Sequence, residues 1–352
     1  MYAMNVFVDS IVFYLQSIGG ISTYWGELFS RFSSNRDVNL KVNYSLSKSM
    51  NRVVSHLDFG GSQVHFPQLL RYCNRFHSSD ADIIHETYYR LPMKKGNALV
   101  VNTVHDFTYE YYAHGLRRVV HSWQKNRAIG KSDGLIAISE NTKKDILKYN
   151  PKTDQDSIKV IYNGVSADYK VISYLPTGNE KYVLFVGGRG GYKNFSMLVL
   201  AMSSVFDLKL YIVGSPLLND EILILDKYLP GRYRLFISVN NESLNLLYNQ
   251  AFAFVYPSLY EGFGIPVIES MAAGCPVIAS NLSSVPEISG NAAILLDDIS
   301  PEKISNALLL LKDGAYRSIL RKKGLEQAKK FSWDRCYEET FLFYRELLEK
   351  RG

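Results

Sequence analysis

Short apolar runs alternate with stretches of helical period along nearly the whole chain, and this alternation restricts the fold more than anything else in the sequence. Runs that are apolar throughout mark strands buried on both faces, and parallel neighbours need a crossover that is usually a helix. The pattern therefore predicts an α/β fold of doubly wound parallel sheets. A first series of strands is read at NVFV (from Asn5), DIIH (Asp82), ALVVNTV (Ala98), GLIAI (Gly134) and KVIY (Lys159). Helices are expected over 22–32 and 116–131, and Ser139 reads as the N-cap of another. A second series follows at YVLFV (Tyr182), LKLYIV (Leu208), RLFI (Arg234), AFVYP (Ala253), PVIAS (Pro276) and AILL (Ala293). Helices from Pro301, from about Tyr316 and over 333–350 complete it, while 45–72 shows no period and carries no assignment.

At 352 residues the chain exceeds one ordinary core, so two domains are expected. The polar stretch 166–180, SADYKVISYLPTGNE, reads as the linker between residues 1–165 and 181–332. No apolar run is long enough to span a membrane, and the opening MYAMNVFVDS makes a better first strand than a signal peptide. Cys73, Cys275 and Cys336 form no C-x-x-C pair, which argues against a disulfide framework or zinc site and fits a reducing cytoplasm. Residues 1–175 carry 21 Lys+Arg against 15 Asp+Glu, whereas 176–352 carry 19 of each. The basic half is either an ordinary solvated surface or the face toward an anionic partner, such as a membrane or a lipid pyrophosphate. Without a dense basic patch or known motif, nucleic acid is not expected as a partner.

The chemistry concentrates in 258–280, SLYEGFGIPVIESMAAGCPVIAS. Glu261 and Glu269 lie eight positions apart around a Gly-Phe-Gly turn. Pro266 suits the first turn of a helix, and a helix opening after a glycine turn favours anions. Two carboxylates beside an anion site fit a ligand with both hydroxyls and phosphates, such as a sugar nucleotide. Glu269 falls about one turn into that helix, before the small residues of SMAAG, and reads as a buried or cleft-facing carboxylate with a partner.

Other motifs are weaker alone. VLFVGGRGGYKN (183–194) satisfies neither G-x-G-x-x-G nor G-x-x-x-x-G-K-[ST], which disfavours a dinucleotide oxidoreductase and a P-loop ATPase. It leaves Arg189 and Lys193 on a glycine turn, either a phosphate grip or a solvated loop pair. Gly19 and Gly20 follow the first strand, where phosphate can approach backbone. His105 and Asp106 end a buried-looking strand, and Tyr88, Tyr89, Tyr109, Tyr111 and Tyr112 around them either stack on sugars or pack. Asp80 and Asp82 stand at a strand entry, the wrong end for a ligand, and read as a solvated turn; no metal is expected.

Together these segments resemble family 4 of the retaining glycosyltransferases, of the two-domain GT-B class. The resemblance rests on Glu261 and Glu269 with VGGRGGYKN, GGISTY, TVHDF, AISENTKKDI, IYNGV and VPEI, and covers nearly the whole chain. It implies two Rossmann-like domains facing each other across a cleft, with the final helix (333–352) packing back on the first. The second domain would bind the nucleotide-sugar donor and the first the acceptor. Arg189 and Lys193 would grip the diphosphate, helped by backbone at Phe263, Gly264 and Ile265 and by Gly19 and Gly20. Glu269 would bind the ribose, while Glu261 and His105 would contact the donor sugar. Gly190 and Gly191 stand where the family often has a hydrophobic residue. No cofactor and no metal are implied. Transfer with retention would run either through deprotonation of the acceptor by the leaving phosphate or through a covalent Glu261 adduct, and the first is preferred. TVHDF and HETYYRLP look most like bacterial mannosyltransferases of O-antigen and related polysaccharide assembly, which implies GDP-mannose with other hexose nucleotides open, a polyprenyl-pyrophosphate-linked glycan acceptor, and a cytoplasmic enzyme peripheral to the membrane. A sugar-nucleotide epimerase and a non-catalytic sugar-binding protein are the alternatives.

Overall fold

The computed structural model describes residues 3–17, 19–44, 46, 54, 64–73, 80–173 and 180–351. The chain divides into two compact units, Met1–Asn163 with Trp333–Gly352, and Gly164–Ser332.

The first unit holds a six-stranded parallel sheet of β1 (Met4–Asp9), β2 (Val38–Val42), β3 (Ile83–Glu86), β4 (Leu99–Val104), β5 (Gly134–Ala137) and β6 (Ile158–Val160), in the order β2-β1-β3-β4-β5-β6. The second holds β7 (Tyr182–Val186), β8 (Lys209–Val213), β9 (Tyr233–Phe236), β10 (Ala253–Tyr256), β11 (Val277–Ser280) and β12 (Ala293–Leu296), in the order β12-β11-β10-β7-β8-β9. Every run read above as a strand forms one, with ends moved by a residue or two. The strand that the apolar pattern misses is β2. It is an edge strand whose inward positions alternate with exposed Asn39 and Lys41, so no continuous apolar run announces it.

Helices cover both faces. Ser139 caps the helix Glu140–Tyr149 as expected, its hydroxyl accepting from the Thr142 N–H at 3.0 Å. Asn240 does the same for Asn241–Gln250, and Ser300 precedes Pro301 at the start of Pro301–Leu310. The last helix, Trp333–Arg351, belongs to the first unit. Its Trp333, Cys336, Phe343 and Tyr344 join the core beneath the helix Gly20–Ser34, and the Tyr344 hydroxyl bonds His85 Nδ1.

The segment read as a linker differs from that expectation. Residues 174–179 lie outside the described residues. Residues 166–173 pack on the second unit: the Lys170 and Ile172 N–H groups donate to Asn245 and Asn249 side chains, and Tyr169 is buried. Tyr169 supplies the reason, because its ring gains more from burial than the polar residues around it lose, while Val171 stays exposed. In the unassigned stretch 45–72 a single turn of helix forms, Pro67–Leu70, while residues 45, 47–53 and 55–63 lie outside the described set. Asp82 serves its strand, accepting the Asn5 N–H at 2.8 Å.

In each sheet the strand order reverses once, between β1 and β3 and between β7 and β10. Loops leaving the carboxyl ends of such strand pairs diverge, and ligands of open α/β sheets bind there.

Candidate active site

In the second unit both loops at the reversal carry the expected residues. After β7 the chain passes through a short helical turn, Gly191–Lys193, into the helix Phe195–Ser203. After β10 it enters the turn that carries Glu261. The Leu259 N–H donates to the Tyr192 carbonyl at 2.7 Å and ties the loops together. That tie sets Lys193 Nζ against Glu261 Oε1 at 2.5 Å, with both side chains mostly buried. The Lys193 ammonium also stands 5.5 Å from the centre of the Tyr256 ring. Burial holds the Tyr256 hydroxyl well above its ordinary range, with the Glu261 charge next and Glu269 adding to it. Tyr256, at the end of β10, thus lies in the field of both carboxylates.

The turn is braced from behind. The Glu261 N–H donates to Ser283 Oγ, and the Ser284 hydroxyl lies 2.9 and 2.8 Å from the carbonyls of Glu261 and Phe263. Gly264 adopts φ 102°, a left-handed conformation that a residue with Cβ resists, and the helix Ile265–Ala272 starts directly after it with Pro266 in its first turn. Phe263 packs edge-on against Phe331 at 5.8 Å.

Glu269, one turn into this helix, is partly buried and accepts from the hydroxyls of Tyr248, at 3.3 Å, and Tyr169. Burial pushes its carboxyl up to about 7 against the lowering effect of those hydroxyls. Tyr169 comes from the segment that composition marks as a linker, so no pattern along the chain connects it with Glu269.

Arg189 turns away from Lys193. Its side chain is only 3% exposed; Nε pairs with Glu221 at 2.9 Å, and Nη2 donates to the carbonyls of Ser215 and Pro216 at 3.0 and 2.8 Å. Nη1 has no partner among the described residues. Gly214 makes room for it, since a Cβ there would stand 2.7 Å from the Gly187 carbonyl oxygen and 3.0 Å from Nη1. Arg189 and Glu221 border a cavity of about 290 Å³ shared with Gly190, Phe195 and Leu218. The expectation of two cations side by side is thus altered: Lys193 is held by Glu261 and Arg189 by Glu221. Glu221, at the start of the helix Asn219–Tyr228, carries no motif that would have flagged it.

The first unit has its own pocket at the β1/β3 reversal. Gly19 is extended, Gly20 opens the helix Gly20–Ser34, and the Gln16 side chain accepts the Ser22 N–H at 3.2 Å. A cavity of about 260 Å³ lies among Gln16, Arg71, Tyr88, Tyr89, His105 and His121. His105 directly follows β4; its ring meets Tyr24 edge-on at 5.0 Å, and Nε2 is buried without a partner among the described residues. Burial drops the His105 pKa to about 4, with Asp106 opposing and Lys125 adding to the fall. His121 stacks on Tyr109 at 3.8 Å and falls to about 3 through burial, then Lys125, Arg71 and Arg117. Sequence reading did not single out His121, which sits inside a helix with no motif. Among the described residues no group of three or more His, Cys, Asp or Glu is placed to hold a metal ion.

Two six-stranded parallel Rossmann-like sheets, one in each unit, are the architecture of the GT-B glycosyltransferases. Residues 19–169 match the Glycosyltransferase Family 4 domain and residues 172–331 match Glycosyl transferases group 1. The chain is 30% identical over 286 residues to O-antigen chain mannosyltransferase B of Escherichia coli, covering 75% of this chain and 74% of that protein. It is 28% identical over 218 residues to the O-antigen chain mannosyltransferase RfbU of Salmonella typhimurium, covering 60% and 59%. Its fold is similar to that of sucrose-phosphate synthase from Thermosynechococcus elongatus, with a TM-score of 0.75 over 99% of this chain and 100% of the other at 20% identity. The chain belongs to glycosyltransferase family 4.

Proposed function

We propose that this glycosyltransferase moves mannose from GDP-mannose, with retention of configuration, onto a growing polysaccharide carried on a polyprenyl pyrophosphate. The observation that carries the reading is the Lys193–Glu261 pair at the β7/β10 reversal, with Glu269 eight residues further on. The mannose and polysaccharide assignments draw support from relatives described as O-antigen chain mannosyltransferases.

In this reading the second unit binds the donor. Breaking the sugar–phosphate bond leaves negative charge on the diphosphate. Lys193 answers that charge once a phosphate oxygen replaces the Glu261 carboxylate on its ammonium, and no metal is needed. The unpaired Nη1 of Arg189 and the backbone of Phe263, Gly264 and Ile265 complete the phosphate contacts. Glu261, released from Lys193, accepts from the sugar hydroxyls, and Glu269 accepts from the ribose diol in its ionised form. The leaving phosphate oxygen takes the acceptor proton on the same face, a route that keeps Glu261 non-covalent. In the first unit, Gly19 and Gly20 offer backbone N–H groups to a phosphate, His105 stays neutral as a hydrogen-bonding partner for a sugar, and the tyrosines around it form the acceptor-binding walls. The enzyme acts at the cytoplasmic face of the membrane that holds its acceptor.

The test is nucleotide release from a panel of nucleotide sugars, with and without acceptor. Acceptor-dependent release of GDP from GDP-mannose is expected. Release from no donor would sink the transferase reading, and interconversion of the sugar without acceptor would point to an epimerase.

A further inference from the structure

The helix Gly115–Ile129 has its polarity reversed. Its buried face presents His121, Gln124 and Lys125, together with Ala128 and Ile129. Its solvent face presents Leu116, Val119 and Trp123, which are 78%, 62% and 62% exposed. An ordinary surface helix places its apolar stripe inward. The inward polar residues have a reason to be there. Lys125 Nζ pairs with Glu110 at 2.7 Å and donates to the Asp106 carbonyl, Gln124 holds the Arg71 carbonyl, and His121 lines the first-unit pocket. Apart from Arg127 against the Trp123 ring, no contact among the described residues covers the outward stripe.

The charge on the helix itself has one sign. The helix contains no Asp or Glu. Arg118 is exposed, the Arg127 guanidinium stands 5.7 Å from the Trp123 ring centre, and Arg117 lies over Tyr109 at 5.4 Å. Exposed Met93, Lys94 and Lys95 stand near the far end, where Lys95 pairs at 2.9 Å with Asp133, four residues past the helix. Tryptophan and aliphatic side chains flanked by arginine are the composition of a helix lying in a bilayer interface.

We propose that the outer face of Gly115–Ile129 docks on an anionic lipid bilayer, with Leu116, Val119 and Trp123 entering the headgroup boundary and Arg118 and Arg127 meeting lipid phosphates. A second copy of the chain on the same face would set these arginines against each other, which disfavours a dimer. The docking surface extends the reading of the acceptor as lipid-linked. It puts the bilayer on one side of a helix whose other side lines the aromatic pocket, so an acceptor anchored in lipid has a short path to Tyr88, Tyr109 and His121.

The three tryptophans make the test direct, because Trp25 and Trp333 are buried and Trp123 alone among them is exposed. With the full chain, vesicles containing phosphatidylglycerol should shift tryptophan emission to the blue, brominated lipids should quench it, and the protein should float with the vesicles. Phosphatidylcholine vesicles should bind far less, and added salt should weaken the phosphatidylglycerol complex. The double variant Leu116→Ser/Val119→Ser should lose roughly a hundredfold in vesicle affinity, and Arg118→Glu a smaller factor. Both should keep wild-type thermal unfolding and wild-type turnover on a short, lipid-free acceptor. No blue shift and no flotation of the wild type, equal flotation of the double variant, or a wild-type dimer that the double variant abolishes would each overturn the proposal. Vesicle binding by a protein that turns over no donor would instead overturn the transferase reading and leave the surface standing.

Discussion

The two units build pockets at the same topological place and fill them in opposite ways. At the β7/β10 reversal, carboxylates meet cations, and the Lys193–Glu261 pair keeps partial access to water. At the β1/β3 reversal, tyrosines and two histidines make most of the cavity wall beside Arg71 and Asp106, and the ion pair of Lys125 and Glu110 is buried beneath it. On the proposed reading, the difference lets one architecture serve two ligand types. Fixed charge suits a diphosphate whose charge grows during the reaction. Rings and neutral imidazoles suit hydroxyl-rich sugars, which need hydrogen bonds and flat apolar surface.

The largest effect that separates the two pockets is on turnover. Lys193→Ala should lower kcat by about 10²–10³ while moving the unfolding temperature little, since the pair it breaks is partly solvated; acceptor-dependent nucleotide release and thermal unfolding read the two together. A variant that keeps wild-type kcat would remove Lys193 from the site. Arg189→Ala should instead act first on stability. It leaves Glu221 and two carbonyls without their donor, at a cost of about 3 kcal/mol to the second unit. Hydrogen exchange should then speed up in β7 and β8 but not in β1, β3 or β4; unchanged exchange would show that Glu221 finds water or another donor.

Acidity gives a subtler contrast. Glu269 titrates near 7 in the folded protein against an ordinary 4.5, so the fold binds its proton more tightly than the unfolded chain does. Its contribution to stability is fully present below 4.5 and lost as pH rises to about 7. His105 and His121 run the other way. Their folded values of about 4 and 3 lie below the ordinary 6.5, so their contribution is present above 6.5 and lost as pH falls through those values. Denaturant titrations across pH 3–8 should show Glu269→Gln flattening the first slope and His121→Phe the second. The KM for donor should also rise as pH falls below about 7, because only the ionised Glu269 accepts two ribose hydroxyls; a flat KM profile would count against that role. The smallest effects should be equal in the two units: Ser139→Ala and Asn240→Ala each remove a helix cap worth about 1 kcal/mol, measured by chemical denaturation.

The parallel sheets were legible because buried parallel strands are apolar throughout, and YVLFV or GLIAI admits little else. The edge strand β2 was hidden because only alternate positions face the core. That Glu261, Glu269 and Lys193 stand on loops and a helix start at one strand reversal was legible, because glycine turns and Pro266 mark those places in the sequence. Glu221, Tyr169 and His121 were not, since each is made relevant by a neighbour distant in sequence. The reversed helix shows the same limit: LRRVVHSW has an apolar period, but the period cannot say which side faces inward.

The sequence by itself determined the element types, the two-sheet architecture, the cap residues and the segment bearing both glutamates, because these depend on local periodicity and backbone conformation. Only the tertiary structure decided that Lys193 meets Glu261 while Arg189 is locked to Glu221, that burial holds the Glu269 carboxyl near 7, and that Trp123 faces out while His121 faces in. Those outcomes depend on which loops the sheets bring together and on how much water each group loses there, and neither is written in the spacing of residues along one chain.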